Sequence, residues 1–228
     1  NFRYDISSIF KLRHLWTFLN FYISVLFFNL LLYQRFRNRL ISLLGTCFLI
    51  ISPRIFADAF YNIKDLMFLS WFIIGLFFLY RFIHHPTKRN SLILAIVIAL
   101  ASNIRIVGFI LLIVTCIYLI YAVLIKEISK KEIFINGMIF VGINILLFFL
   151  LLPASWGNPI DFLIKSLHHF SKNYYESQEL YLGKYVPSMH LPWHYLPVWI
   201  FISTPIVYIV LFFVGVFYLI KQFQIKNS

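Results

Sequence analysis

Acidic residues are scarce in this chain: Asp and Glu number 8 among 228 residues, and charged residues make up 12% of the total, about half the share of an ordinary soluble domain. Beside 61% apolar residues, so little charge excludes a water-soluble globule. Cysteine is rarer. Cys47 and Cys116 each lie inside an apolar run without a partner at metal or redox spacing, so no disulfide framework or zinc site is indicated, and both read as small core residues. No Gly/Ser linker, internal repeat or low-complexity tract divides the sequence, which reads as a single membrane domain over 1–228. It starts at Asn1 rather than Met and has no charged-then-apolar leader with a small-residue cleavage site, so it reads as a fragment lacking its own N-terminus.

What is present is apolar length punctuated by positive charge. Seven candidate spans follow: Leu15–Tyr33, Leu40–Ser52, Leu66–Ile83, Ser91–Ser102, Ile106–Ile125, Ile133–Leu152 and Val198–Ile220. A hydrocarbon layer of about 30 Å needs about 20 helical residues, so the second and fourth spans must borrow flanking residues or thin the bilayer locally. Ser91–Ile125 taken as one bent excursion would bury Asn103 and Arg105. Two helices with a tight turn at Ser102, Asn103 and Ile104 are the preferred reading. The expectation is an all-α polytopic membrane protein of about seven transmembrane helices.

A net charge of +12 would suggest nucleic acid in a polar chain; between membrane-length runs it is a topology signal, and no nucleic-acid partner is expected. The segments after odd-numbered spans carry Arg35, Arg37, Arg39, Arg81, Lys88, Arg89, Lys126, Lys130, Lys131, Lys221 and Lys226. This basic side is read as cytoplasmic. Six of the 8 acids, Asp5, Asp58, Asp65, Asp161, Glu176 and Glu179, lie on the other, outer side.

Three outer segments are expected, at 1–14, 53–65 and 153–197. The third is unusually long for a connection. Within it Asn158, Pro159 and Asp161 form a helix-start signal of cap, first-turn proline and first-turn acid. Ile160, Leu163, Leu167 and Phe170 then recur at helical spacing, predicting an amphipathic helix suited to the membrane interface. Tyr174, Tyr175, Tyr181, Tyr185, Trp193, Tyr195 and Trp199 follow, the composition of an aromatic belt.

Asp58 and Asp65 stand seven residues apart before the third span, on nearly one face if the segment is a continuous helix. With Arg54 and Lys64 beside them they could bind a metal, act as a base, hold a phosphate, or form local ion pairs on an ordinary charged loop. An acid at the mouth of an apolar run is costly unless used or paired, which makes Asp65 the stronger candidate. Arg105 lies between two apolar helices with no acid near it in sequence; a desolvated guanidinium would match a phosphate, or snorkel to lipid headgroups. His190 and His194 have metal-like spacing, but Pro192 between them and the lack of a third ligand favour belt histidines. His84 and His85, before Pro86, read as surface loop residues.

The strings RHLWTFLNFYISVLFF at Arg13–Phe28, SPRIFADAFYNIKDLMFLSWFIIGLFF at Ser52–Phe78, NIRIVGFILL at Asn103–Leu112, WGNPIDFL at Trp156–Leu163 and LYLGKYVPSMHLPWHYLPVWIFISTP at Leu180–Pro205 resemble bacterial glycosyltransferase family 39. These are C-type (GT-C) membrane glycosyltransferases, related to protein mannosyltransferases and the lipid A aminoarabinose transferase. The resemblance covers nearly the whole chain. It implies an enzyme of the bacterial plasma (inner) membrane that transfers a sugar from a polyprenyl-phosphate donor, undecaprenyl or dolichyl, to a glycan, lipid or protein acceptor on the extracytoplasmic face. By this resemblance Asp65, then Asp58, are the candidate catalytic carboxylates, with Arg54, Lys64, Arg105, His194 and Tyr195 as candidate substrate-binding residues. A divalent ion, magnesium or manganese, is a candidate cofactor, and membrane lipids are expected partners. The family's principal catalytic acid lies in a first outer loop whose counterpart is missing here, and Asp5 is not matched to it; the fragment alone is therefore expected to be inactive. The rival classes are a transporter or lipid-carrier flippase, which would carry charged sites near the bilayer midplane, and a non-catalytic assembly subunit.

Overall fold

A computed structural model describes residues 6–125, 130–171 and 177–227. It contains ten α-helices among these residues: α1 Ile6–Phe36, α2 Arg39–Ile51, α3 Pro53–Tyr61, α4 Ile63–His84, α5 Lys88–Ile104, α6 Phe109–Ile125, α7 Lys130–Leu150, α8 Pro159–Ser171, α9 Tyr195–Ser203 and α10 Ile206–Asn227. Two short strands, β1 Gln178–Tyr181 and β2 Lys184–Pro187, form an antiparallel hairpin. The chain divides into two compact units at 162/163.

The protein is a helical membrane protein. Four helical stretches, at Ser7–Phe36, Ile63–His84, Ile106–Leu124 and Lys131–Leu150, are long and apolar enough to cross a bilayer, and the number rises to six if each of two bent pairs is one span. The first pair is α2 with α3, bent by 54°. The segment 53–61, expected in an outer segment, is helical, and it lengthens Leu40–Ser52 if the pair is one span. Pro53 at the start of α3 lacks the amide that would continue the α2 ladder. The second pair, α9 with α10, bends by 112°, so Val198–Ile220 is not one straight span. Pro205 stands in the break, where it cannot donate to the ladder of α9.

In the first unit, hydrogen bonds fix the direction of each helix. Tyr80 of α4 donates to the Gln34 carbonyl of α1 at 3.4 Å, and Tyr118 of α6 donates to the Ile83 carbonyl at 2.9 Å. The C-terminal ends of α1, α4 and α6 therefore share one end of the bundle. Asn136 of α7 donates to the Pro86 carbonyl at 2.6 Å and Asn144 to the Ala95 carbonyl of α5 at 3.2 Å. With 50 and 49 residues between partners, α5 and α7 run parallel in one register.

α5 is the centre of this unit. Its 17 residues fall short of a typical span, yet Leu94, Ala95, Ile98, Ala99 and Ala101 are fully buried. Leu94, Ala95 and Ile98 pack with Leu79 and Phe82 of α4, Leu111 of α6 and Phe140 of α7. Small side chains let its backbone come close to its neighbours, as helix contacts in lipid require. On α1, Thr17, Asn20 and Ser24 are buried along one face and donate to the carbonyls of Arg13, Trp16 and Phe21 of their own helix. This satisfies polar groups where no bulk water reaches. Cys47, expected in the core, is exposed on α2, while Cys116 is half-buried.

The α8 signal is realised: Asn158 accepts from the Asp161 amide at 3.1 Å, with Pro159 opening the helix. In the second unit, Leu182 and Gly183 turn the hairpin with φ of 50° and 80°, the left-handed pair that suits the twist of two-residue hairpins. The sequence gives no strand signal at these residues, which lie in the expected outer segment 153–197. The belt residues Tyr174 and Tyr175 lie outside the described residues, and the helix-face residues Leu167 and Phe170 are described only in their backbone.

Candidate functional site

Asn62 separates α3 from α4. Its backbone, at φ −99° and ψ 74°, leaves the helical region, and its amide closes α3 on the Asp58 carbonyl at 2.8 Å. Its side chain then starts α4, Oδ1 accepting from the Asp65 amide at 3.1 Å while Nδ2 donates to Asp65 Oδ2 at 2.7 Å. One asparagine thus caps a helix and fixes a carboxylate. Because of this break Asp58 and Asp65 lie on two helices and do not share the face that one continuous helix would give them. Asp58 stays on α3, on the same short helix as Arg54 and Tyr61.

The other oxygen of Asp65 meets Arg105, and the two form an ion pair across the bundle. Arg105 lacked an acid in its own sequence neighbourhood; the fold supplies one from α4. The side chains of Arg105 and Asp65 are 42% and 40% exposed, so the guanidinium is not desolvated as the sequence suggested. Two of the sequence candidates are therefore one site. It lies at the bundle end opposite Arg81, Lys88 and Arg89, because α4 starts here and α5 ends here.

Arg105 is presented by the break between α5 and α6. Its backbone is extended, at φ −143° and ψ 135°, and a single 3-10 turn at Ile106–Gly108 leads into α6. Two helices are present as expected, but the turn comes after Ile104 rather than at 102–104. Gly108 makes it possible: a Cβ there would stand 2.6 Å from the Ser102 nitrogen and 2.7 Å from the Ala101 carbonyl carbon. Only glycine permits so close a backbone approach. Beside this turn, Ser102 Oγ and Asn103 Oδ1 are buried with no hydrogen-bond partner among the described residues, although Asn103 Nδ2 donates to the Ala99 carbonyl at 2.9 Å.

Arg54 and Lys64 are exposed on α3 and α4 and have no ion-pair partner among the described residues. His194 and Tyr195 belong to the second unit, where their rings pack 5.7 and 5.3 Å from that of Tyr181. The Tyr181 hydroxyl is buried and has no partner among the described residues. His190 is exposed at the end of a 3-10 turn, and His84 stacks on Tyr80 at 4.2 Å.

A divalent ion does not fit Asp65 as it is held. The Arg105 guanidinium paired with it repels a cation. No group of three His, Cys, Asp or Glu able to hold a metal occurs among the described residues. Sequence reasoning missed Asn62 and Gly108, which build the site. Asn62 stands three residues before Asp65, a capping spacing that could have revealed it; the close approach at Gly108 has no local signature. In comparisons with known proteins, no family model, curated protein or solved structure matches this chain.

Proposed function

We propose that this chain is part of a C-type glycosyltransferase that transfers a sugar from a polyprenyl-phosphate donor to an acceptor hydroxyl at the outer face of the membrane. The observation that carries this reading is the Asp65–Arg105 pair at one end of the bundle. The reaction needs a carboxylate to take the acceptor proton and a fixed cation for the departing phosphate. Arg105 has five donors in a planar fork, more than Asp65 uses, and its exposed part is free to take phosphate oxygens. Asn62 holds Asp65 Oδ2 in place.

In this reaction the acceptor oxygen bonds to the anomeric carbon, the carbon–oxygen bond to the lipid phosphate breaks, and polyprenyl phosphate leaves with the electron pair. The acceptor proton passes to the Asp65 carboxylate. A transporter would place its charges near mid-membrane, whereas this pair sits in the first turn of α4 and just past the end of α5. The test is transfer from a radiolabelled lipid-linked sugar in membranes holding the full-length protein. Asp65→Asn is expected to lower turnover by about a hundredfold, within the range of general acid–base contributions. Unchanged turnover removes Asp65 from the mechanism.

A further inference from the structure

At the bundle end far from Asp65, α5 and α7 leave an open groove of about 530 Å³. Leu92 of α5 and Met138, Gly142 and Leu146 of α7 line it, and Lys88 and Arg89 stand at its mouth. Its width is fixed, because Asn136 ties α7 to the Pro86 carbonyl and Asn144 ties it to that of Ala95. Met138, Gly142 and Leu146 are exposed along it, and a Cβ on Gly142 would meet nothing within 4 Å. From Met138 to Leu146 the groove descends eight helical rises, about 12 Å, close to the roughly 15 Å of hydrocarbon in one leaflet.

This end of the bundle is strongly basic, and two of its cations line the groove. Arg35, Arg81, Lys88, Arg89 and Lys131 share this end, and Glu132 is the acid found there among the described residues. Glu132 lines a neighbouring recess with Lys88, which leaves Arg89 and the excess positive charge for a ligand. Neither Lys88 nor Arg89 has an ion-pair partner among the described residues. Apolar depth of leaflet length below two cations is the shape and charge of a phospholipid site, and basic pockets between membrane helices select anionic headgroups.

We propose that this groove holds an acyl chain of an anionic phospholipid whose phosphate sits between Lys88 and Arg89. The site is separate from the Asp65–Arg105 pair and does not depend on the glycosyltransferase reading. Native mass spectrometry of the full-length protein in detergent, titrated with phosphatidylglycerol or phosphatidylcholine of identical chains, tests it. Phosphatidylglycerol should be retained in preference. The double variant Lys88→Gln/Arg89→Gln should weaken phosphatidylglycerol binding by roughly tenfold with little change for phosphatidylcholine. Gly142→Phe, which fills open space, should weaken both. Arg35→Gln/Arg39→Gln, at the same end but off the groove, should keep the preference, and glycerol phosphate without chains should not compete. Equal retention of the two lipids, wild-type binding by Lys88→Gln/Arg89→Gln or by Gly142→Phe, an equal loss in Arg35→Gln/Arg39→Gln, or competition by glycerol phosphate would each overturn the assignment.

Discussion

Replacing Gly108 by alanine adds one methyl group at the most crowded backbone crossing near Asp65. The new carbon would lie 2.6 to 2.7 Å from Ser102 N, Ser102 Cα and the Ala101 carbonyl carbon, well inside van der Waals contact. Those are backbone atoms, so no rotamer change can clear them, and α5 and the 106–108 turn must separate. Overpacking of this kind costs about 1–3 kcal/mol, a loss of roughly 5- to 30-fold in the folded-to-unfolded ratio for 1–2 kcal/mol. Gly142→Ala is the matched control, since its methyl meets nothing within 4 Å. Inside α7 it should instead stabilise by about 0.5–1 kcal/mol through helix propensity. Unfolding of both variants in mixed micelles of rising SDS fraction, followed by tryptophan fluorescence and circular dichroism, gives the two differences directly. The separation should also carry Arg105 away from Asp65, so Gly108→Ala should lower the proposed sugar transfer at a temperature where it remains folded. Wild-type stability in Gly108→Ala, or a larger loss in Gly142→Ala, would refute the close-approach reasoning.

Two further substitutions probe the polar fastenings. Asn62→Ala removes the cap of α4 and the hydrogen bond to Asp65 Oδ2; it should cost about 0.5–2 kcal/mol in the same unfolding assay, and a neutral result would show that Asn62 does not hold the helix start. Asn144→Leu deletes the fully buried bond to the Ala95 carbonyl and should cost about 0.6 kcal/mol, with about 1.7 as a ceiling; a loss well above that would mean that the asparagine supports more than one helix contact.

The sequence made the helical class visible through long apolar runs, and the start of α8 through Asn158, Pro159 and Asp161, because both signals are local. Asp65 and Arg105 each stood out as a charge that needed a partner, yet their pairing was hidden because it depends on α4 and α5 lying side by side. Asn62 was hidden for a different reason: the seven-residue spacing of Asp58 and Asp65 would share a face only on one helix, and a single capping residue is enough to break it. The hairpin at 178–187 was masked by an aromatic-rich composition that also fits a membrane interface. Pro205 was a readable breaker inside an apolar run, overridden in the reading by the run's sheer length.

The buried position of α5 has a consequence for how the protein is made. Its polar Asn90, Ser91 and Ser102 are enclosed by protein, and the helix emerges from the ribosome before α7, which supplies one of its walls. The 46 residues between Ile104 and Leu150 take roughly 2–9 s to synthesise. For that interval α5 lacks its final enclosure, so a segment this short and polar should dwell at the insertion machinery until α7 arrives, and cross-linking of stalled chains would catch it there.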